Sequence, residues 1–201
     1  MSRAAMAGPW RRRAADGRPV RIALDIDGVL GGYLETLSRI VWGRSLPEPA
    51  SYRVWTDPAW PVDDEQDFLR AHAEAVANGL YEDEPCNGDM ALFSRRMAAE
   101  GGRFGLDVVT SRRDDGDGVT EGWLRRHRVA FGGLVHAARP TAKALMGYDV
   151  VVDDDPAVLF AARSMGSLAL APAHRWTRGL GVAVFADGGE LEAMVRAWAG
   201  A

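Results

Sequence analysis

One short stretch, residues 21–30, constrains the fold and the function of this chain more than any other. It reads Arg-Ile-Ala-Leu-Asp-Ile-Asp-Gly-Val-Leu, an apolar run that ends in Asp25, Asp27 and Gly28. Such a run predicts a buried strand of an open α/β sheet, and these sheets bind ligands at the carboxyl ends of their strands. Because side chains alternate along a strand, we expect Asp25 and Asp27 to point the same way. The alternative is a strand that ends in two solvated acids.

The sequence after residue 85 alternates between strand-like and helix-like segments. Five further apolar segments predict strands, at 105–110, 134–135, 149–153, 168–170 and 182–185. Helices are predicted beside them, at 89–100, 119–127, 141–146, 156–165 and 190–198. This alternation predicts a three-layer, Rossmann-like α/β domain with a mainly parallel sheet.

The segment before this alternation has a different character. Apolar residues at helical spacing predict one helix at 31–43 and another at 62–78. The passage 46–61 between them is rich in proline and tryptophan, and its prolines exclude a regular helix or a central strand. We therefore predict that residues 31–85 form a small helical insertion.

Three regions follow from this pattern. Residues 19–30 and 86–201 are expected to form the α/β core, with the helical insertion 31–85 between them. Residues 1–18, which include the run Arg11-Arg12-Arg13, are expected to form a poorly ordered tail.

Composition excludes several classes of protein. The formal net charge of −4 argues against an extended nucleic-acid-binding surface. The single cysteine, Cys86, excludes an internal disulfide and fits a reducing, cytoplasmic location. No apolar segment approaches the ~18 residues needed to cross a bilayer, so no membrane association is expected. A homodimer is left open.

Three of the predicted strands end in reactive side chains. They end in Leu24-Asp25-Ile26-Asp27, Val109-Thr110-Ser111-Arg112 and Val152-Asp153-Asp154-Asp155. The carboxyl ends of parallel strands lie along one edge, so we expect these side chains to converge. Crowded carboxylates repel one another unless a cation shares them, and a few oxygen ligands suit Mg²⁺. Thr110, Ser111, Arg112 and Lys143 suit an anion beside the metal, which predicts a site for Mg²⁺ and a phosphoryl group.

These motifs, in this order, resemble those of the haloacid dehalogenase-like (HAD) hydrolase superfamily. The resemblance covers residues 21–170, most of the chain. It rests on Asp25-Ile26-Asp27-Gly28-Val29-Leu30, Val108-Val109-Thr110-Ser111-Arg112, Lys143 and Asp149-Val150-Val151-Val152-Asp153-Asp154. Each motif alone is common by chance, whereas all four in order, at strand ends or before a strand, are specific.

The resemblance implies a role for each residue in the reaction. Asp25 would be the nucleophile that forms an aspartyl-phosphate. Asp27 would protonate the leaving oxygen and then activate the hydrolytic water, and its presence favours a phosphatase over a dehalogenase. Thr110 would bind the phosphoryl oxygens, and Lys143 would neutralise the charge on nucleophile and phosphate.

The resemblance also implies a metal site. Mg²⁺ would be held by the Asp25 carboxylate, the Asp27 backbone carbonyl and Asp154. Asp153 would lie outside the metal's direct ligands and orient the lysine.

Two assignments in the predicted phosphate pocket have alternatives. Ser111 and Arg112 are expected to line the pocket from their position, although a strand end can also place them on the surface. Lys143 is the one lysine of the chain, and Arg139 is the alternative source of positive charge.

Other polar residues have simpler interpretations. Asp155 precedes Pro156, the pattern of a helix N-cap followed by proline. Asp149 begins its strand and is interpreted as structural. The acidic run 114–118 resembles part of a calcium loop, but no glutamate completes it, so a solvated turn is expected. The four histidines have no metal-ligand spacing.

The helical insertion corresponds in position to the superfamily's C1 cap, a lid over the active site. The cap, the DxDGVL form and the Thr-Ser-Arg sequence look most like the 5′(3′)-deoxyribonucleotidase branch, which implies a nucleoside monophosphate as substrate. The insertion is rich in aromatic residues, Tyr33, Trp42, Tyr52, Trp55, Trp60, Phe68 and Tyr81. These rings either stack on a nucleobase or fill the insertion's own core. The sequence of the insertion departs from the pattern of that branch.

Other functions remain open at this point. The substrate could instead be another small phosphorylated metabolite or a polynucleotide end. A phosphotransferase or mutase would use the same residues. A non-catalytic phosphoacceptor signalling domain is a further alternative, although the acid pairs stand in a different order there and such domains lack an insertion.

Overall fold

The first strand lies in the middle of a six-stranded sheet. The structure, a computed structural model, describes residues 17–113, 116 and 118–200. The strands are β1 (Val20–Leu24), β2 (Phe104–Thr110), β3 (Leu134–His136), β4 (Val150–Val152), β5 (Leu168–Pro172) and β6 (Ala183–Phe185). Their order is β3-β2-β1-β4-β5-β6, and every pair is parallel. The predicted tail, except for residues 17–18, and residues 114, 115 and 117 of the acidic run lie outside the described residues.

The register brings the ends of β1 and β4 level with each other, and β2 continues for two residues beyond them. Leu24 at the end of β1 pairs with Val108 in β2 and with Val152 in β4. The chain passes from β1 outward to β2 and β3, then returns to place β4 on the other side of β1. Ligands bind at such a reversal of strand order, because the loops leaving the two strands separate and open a crevice.

Helices cover both faces of the sheet, so the core has three layers. They are α4 (Gly88–Ala98), α5 (Val119–Arg126), α6 (Pro156–Ser164) and α7 (Gly188–Ala199). Side chains alternate between the two faces: Ile22 and Leu24 pack with residues of α4, α5 and α7, while Ala23 packs with residues of α6. The mainly parallel three-layer prediction is therefore confirmed.

Residues 31–85 form a helical segment with its own apolar cluster. It contains α1 (Tyr33–Trp42), a 3₁₀ helix (Val54–Thr56), α2 (Glu65–Ala77) and the short α3 (Leu80–Asp83). The buried residues of this cluster are Leu37, Val54, Trp60, Val62, Ala75 and Leu80. The chain enters and leaves the segment at adjacent points, because the Gly32 amide donates to the Pro85 carbonyl at 3.0 Å. Gly31, Gly32 and Pro85 therefore form the connections between the segment and the core.

Local sequence signals account for most helix ends. Asp64 caps α2 by accepting from the Asp67 amide at 2.8 Å, and Asp155 caps α6 by accepting from the Ala157 amide at 2.7 Å. Gly43 ends α1 in the left-handed conformation. Residues 140–145 form a 3₁₀ helix, where an α-helix was predicted, since few residues separate Pro140 from the left-handed Gly147. In the part of the chain that is described, no helix is long and apolar enough to span a membrane.

The central strand makes a matched test of this core possible. Leu24 is fully buried, whereas the side chain of Leu145 is 60% exposed. Leu24→Ala should lower the free energy of unfolding by about 2–5 kcal/mol, since it leaves a cavity under the sheet. Leu145→Ala should change it by less than about 0.5 kcal/mol. Urea denaturation of both variants measures the difference, and equal effects would contradict this account of the core.

Candidate active site

A buried ammonium group joins two carboxylates at the carboxyl edge of the sheet. The Lys143 Nζ lies 2.8 Å from the Asp25 Oδ2 and donates to the Asp153 Oδ2 at 3.0 Å. Asp25 follows β1, Asp153 follows β4, and Lys143 lies on the 3₁₀ helix that precedes β4. All three side chains are almost inaccessible to solvent. Three residues far apart in the sequence are thus brought into contact by the strand order.

The two aspartates differ in what their second oxygen contacts. The Asp153 Oδ1 accepts from the Asp155 amide at 3.0 Å, so both of its oxygens have protein partners. The Asp25 Oδ1 is buried and has no hydrogen-bond partner. Oxygens of Asp25, Asp153 and Asp154 lie within 4.8 Å of one another. A buried oxygen without a partner is costly, so this group of carboxylates fits a cation.

The charges of this cluster also indicate a cation site. Burial raises the pKa of Asp25 to about 7, although the Lys143 charge acts in the opposite direction. Burial and the neighbouring Asp153 raise the pKa of Asp154 well above its usual value. Burial by itself lowers the pKa of Lys143, but the charges of Asp25 and Asp153 raise this pKa above the normal range. One ammonium against three carboxylates leaves two negative charges when all are ionised, which matches a divalent cation.

Gly28 allows Asp154 to approach this cluster. It has φ +75°, and a Cβ atom there would overlap the Asp154 carboxylate. The Trp176 indole also holds the backbone of Asp154, because its Nε1 donates to the Asp154 carbonyl oxygen at 3.0 Å. The glycine of the Asp-x-Asp-Gly sequence therefore serves close packing as well as the turn.

The second acid, Asp27, has a different cationic partner. The Arg112 Nε donates to its two oxygens at 3.1 and 3.3 Å, and the Arg112 Nη2 donates to Oδ1 at 2.6 Å. The Arg112 Nη2 also donates to Glu84, a residue of the segment 31–85. The Arg112 side chain is completely buried, while Asp27 is 28% exposed. Asp25 and Asp27 border one cavity, as the alternation along the strand suggested, but each is held by its own cation.

The two hydroxyls after β2 occupy different environments. Thr110 is fully buried, and its Oγ1 accepts from the Arg112 amide at 3.2 Å. Ser111 is exposed and borders the cavity. The phosphate-binding roles expected for Thr110, Ser111 and Arg112 stay predictions.

A cavity of about 420 Å³ lies between these residues and the segment 31–85. Lys143, Asp154, Asp155 and Pro140 border it on the side of the sheet. On the opposite side it is lined largely by apolar and aromatic residues, Tyr33, Leu34, Tyr52, Val54, Trp55, Phe68, Leu69 and Tyr81. The polar end and the aromatic side suit a ligand with an anionic group and a flat apolar part.

His72 lies among these rings. The Tyr33 hydroxyl is 2.9 Å from its Nδ1, and the Tyr81 hydroxyl is 3.5 Å from its Nε2. Burial lowers the pKa of His72, so the ring is neutral around pH 7. Trp42 and Trp60 have another role: they pack edge to face at 5.7 Å inside the segment. Tyr33, Trp55, Phe68 and Tyr81 border the cavity and also pack against the segment's own apolar cluster. Stacking of these rings on a nucleobase stays a prediction.

A second histidine connects three parts of the chain. The His174 Nε2 lies 2.6 Å from the Gly28 carbonyl oxygen, and its Nδ1 lies 2.7 Å from the Glu48 carboxylate. Both partners are acceptors, so both nitrogens can donate only when the ring is protonated. The ring also stacks on Trp176 at 4.2 Å. His174 therefore joins the loop after β5 to the first motif and to the segment 31–85.

Sequence reasoning missed Glu84, His72, His174 and Trp176. Glu84 stands in the acidic sequence Tyr-Glu-Asp-Glu, where nothing separates a buried acid from solvated ones. Trp176 and His174 lie outside every motif. The spacing of Phe68 and His72, which are one helical turn apart, was the one available signal that His72 shares a face with an apolar residue.

Gly28 makes a test of the cation site possible. Gly28→Ala should strain the backbone by about 1–2 kcal/mol and displace Asp154, so that Mg²⁺ binding measured by titration calorimetry is lost or strongly weakened. Gly147→Ala is the matched control, because Gly147 has φ +73° but no atom within 4 Å of its added Cβ. We expect the control to lose the stability that a side chain at positive φ costs, with Mg²⁺ binding unchanged. Equal binding by both variants would contradict the role assigned to Gly28.

Comparison with known proteins gives relatives by structure alone. No protein-family model and no curated protein sequence matches the chain. A HAD family hydrolase from Deinococcus radiodurans, solved with bound phosphate and sodium, has a TM-score of 0.62 at 15% identity, over 91% of this chain and 97% of that one. A haloacid dehalogenase-like hydrolase from Streptococcus pneumoniae (TM-score 0.59, 12% identity) and a predicted phosphoglycolate phosphatase from Haemophilus somnus (0.57, 15%) each align over 88% of this chain and 98% of theirs. The chain therefore has the fold of the HAD-superfamily hydrolases.

Proposed function

We propose that this protein is a Mg²⁺-dependent phosphomonoester hydrolase of the HAD type, acting through an aspartyl-phosphate. The observation that carries the proposal is the buried contact of Lys143 with Asp25 and Asp153, beside an Asp25 oxygen that has no protein partner. The solved hydrolase from Deinococcus radiodurans has bound phosphate and a cation, which supports a phosphate ligand for this fold.

Asp25 is the proposed nucleophile. One of its carboxylate oxygens attacks phosphorus, and the bond from phosphorus to the ester oxygen breaks. Asp27 borders the same cavity and gives a proton to the departing oxygen, so that an alcohol leaves. Lys143 offsets the negative charge that gathers around Asp25 and the phosphoryl group.

Asp27 reverses its role in the second half of the reaction. As a carboxylate it takes a proton from a water molecule, whose oxygen attacks the phosphorus of the aspartyl-phosphate. The bond from phosphorus to the Asp25 oxygen breaks, which releases inorganic phosphate and restores the Asp25 carboxylate. The protons and bonds of the two halves balance, so no further reagent is needed.

The Asp25 and Asp154 carboxylates and the Asp27 backbone carbonyl are the proposed ligands of Mg²⁺. When bound, Mg²⁺ supplies positive charge that offsets the carboxylates and the phosphoryl oxygens. Asp153 is left to orient Lys143, because both of its oxygens already have protein partners.

The proposed substrate is a nucleoside monophosphate, with the segment 31–85 in the position of a C1 cap. The cavity supports this choice, because a phosphate at Lys143 would leave the rest of the ligand beside Tyr33, Trp55 and Phe68. Aromatic rings hold nucleobases by stacking. The same site chemistry could pass the phosphoryl group to a sugar hydroxyl, and assays with added sugar acceptors distinguish transfer from hydrolysis.

The nucleophile has a direct test. Asp25→Asn should abolish Mg²⁺-dependent phosphate release, because an amide cannot form the aspartyl-phosphate, while the thermal unfolding temperature changes little. Phosphate release is measured over deoxy- and ribonucleotides, sugar phosphates and phosphorylated polynucleotide ends, with Mg²⁺ or with a chelator. Full activity of the variant, or activity of the unmodified protein without Mg²⁺, would contradict the mechanism.

The substrate class has its own test. Trp55 borders the cavity, whereas Trp42, equally half-buried in the same segment, packs edge to face against Trp60. Trp55→Leu should raise KM for nucleoside monophosphates about tenfold, within the 1–3 kcal/mol that stacking on one base contributes, and leave KM for small aliphatic phosphates unchanged. Trp42→Leu is the matched control, with no selective effect expected. The nucleotide proposal fails if Trp55→Leu affects both substrate classes equally.

A further inference from the structure

Arg112 holds Asp27 in a rigid fork. Its Nε and Nη2 both donate to the Asp27 carboxylate. The guanidinium lies 4.2 Å from the centre of the Tyr81 ring and 5.7 Å from that of Trp123. A fully buried group fixed through two nitrogens and packed against two rings has little freedom, so it determines where the Asp27 carboxylate sits.

Glu84 holds the guanidinium from the other side. Its carboxylate accepts from the Arg112 Nη2, and its side chain is completely buried. Its backbone carbonyl accepts from the Trp123 Nε1 at 2.8 Å. The side chain fits against Gly31, where a Cβ would overlap its carboxylate. Glu84 thus lies where the chain leaves the segment 31–85, next to the residue where the chain enters it.

The charges make the two contacts interdependent. One guanidinium lies between two carboxylates, and burial raises the pKa of Glu84 to about 8, although the charge of Arg112 opposes this rise. Without Arg112, Asp27 and Glu84 would be two acids with no cation between them. Burying the charges of Arg112 and Glu84 beside Asp27 costs free energy. The core does not need these charges for its packing, because it has its own apolar clusters.

We propose that Arg112 and Glu84 are positioning residues for Asp27, which couple the place of the segment 31–85 to the proton transfer. This inference rests on the proposed function. Glu84 and Tyr81 belong to the segment, so a displacement that moves them away from Arg112 removes two of the groups that hold the guanidinium. Asp27 then loses its fixed position. The acid is therefore correctly placed only while these two residues of the segment stay packed against Arg112.

The test compares two substrates that differ in their need for a proton. The nitrophenolate that leaves p-nitrophenyl phosphate needs no protonation, whereas the alkoxide of a nucleoside 5′-monophosphate does. Arg112→Lys keeps the charge but removes the fork. It should lower kcat for the nucleotide about 100-fold, at the low end of the contribution of a general acid, and kcat for p-nitrophenyl phosphate only a few-fold. Glu84→Gln should give the same selectivity with a smaller loss, and KM should change little in either variant.

A double-mutant cycle separates positioning from a general structural defect. In the Asp27→Asn background, Arg112→Lys should cause no further loss for the nucleotide, because the group that it positions is already disabled. Glu100→Gln and Arg196→Lys are matched controls in an ion pair remote from the site, and both should keep full activity. Thermal unfolding checks every variant, and Glu84→Asp replaces Glu84→Gln if the latter does not fold.

Three results would overturn the inference. Equal losses for the two substrates would indicate a structural role. A rise of KM with unchanged kcat would mean that Arg112 binds substrate phosphate instead. Additive losses in the Asp27→Asn background would mean that Arg112 acts independently of Asp27. Failure of the proposed function is recognised separately, because the unmodified protein would then release phosphate from neither substrate.

Discussion

The buried ammonium of Lys143 is the contact on which the rest of the site depends. It allows Asp25 and Asp153 to lie side by side out of water, where two carboxylates alone would repel each other. Because Lys143 precedes β4 and Asp153 follows it, their contact joins the 3₁₀ helix before this short strand to the residue after it. The level ends of β1 and β4, together with the close approach that Gly28 allows, then place Asp154 next to Asp25. Removing the ammonium would leave buried charge uncompensated, which is among the most destabilising changes a protein can suffer.

Much of this arrangement can be predicted from the sequence, because the topology of the sheet brings the site residues together. Apolar strands alternating with helices specify a parallel sheet, and a parallel sheet brings the carboxyl ends of its strands to one edge. Asp25, Asp153 and Asp154 are therefore expected near one another before any coordinates are known. Asp155 was predictable for a local reason, since an N-cap depends only on the residues that follow it.

What could not be predicted depends on contacts between distant residues. Glu84 looks like its acidic neighbours, and only the burial of Arg112 against it distinguishes it from them. Thr110 shows a second limit, since its hydroxyl caps the turn to Arg112 while Ser111 borders the cavity. A difference of one residue at a strand end decides which hydroxyl borders the cavity. His174 gives no sequence signal, because its three partners come from three separate regions.

The neighbouring entry and exit of the segment 31–85 have a consequence for how such a protein can change. Backbone hydrogen bonds from Gly32 to Pro85 and from Asn87 to Leu30 span the two crossing points, so the length and shape of what lies between them place little strain on the sheet. Most residues of the segment can be replaced as a block while the strand ends that carry Asp25 and Asp154 keep their register. Glu48, Tyr81 and Glu84 are exceptions, since they belong to the block yet contact His174 or Arg112 of the core. Exchange of the segment is therefore constrained by the residues at these contacts.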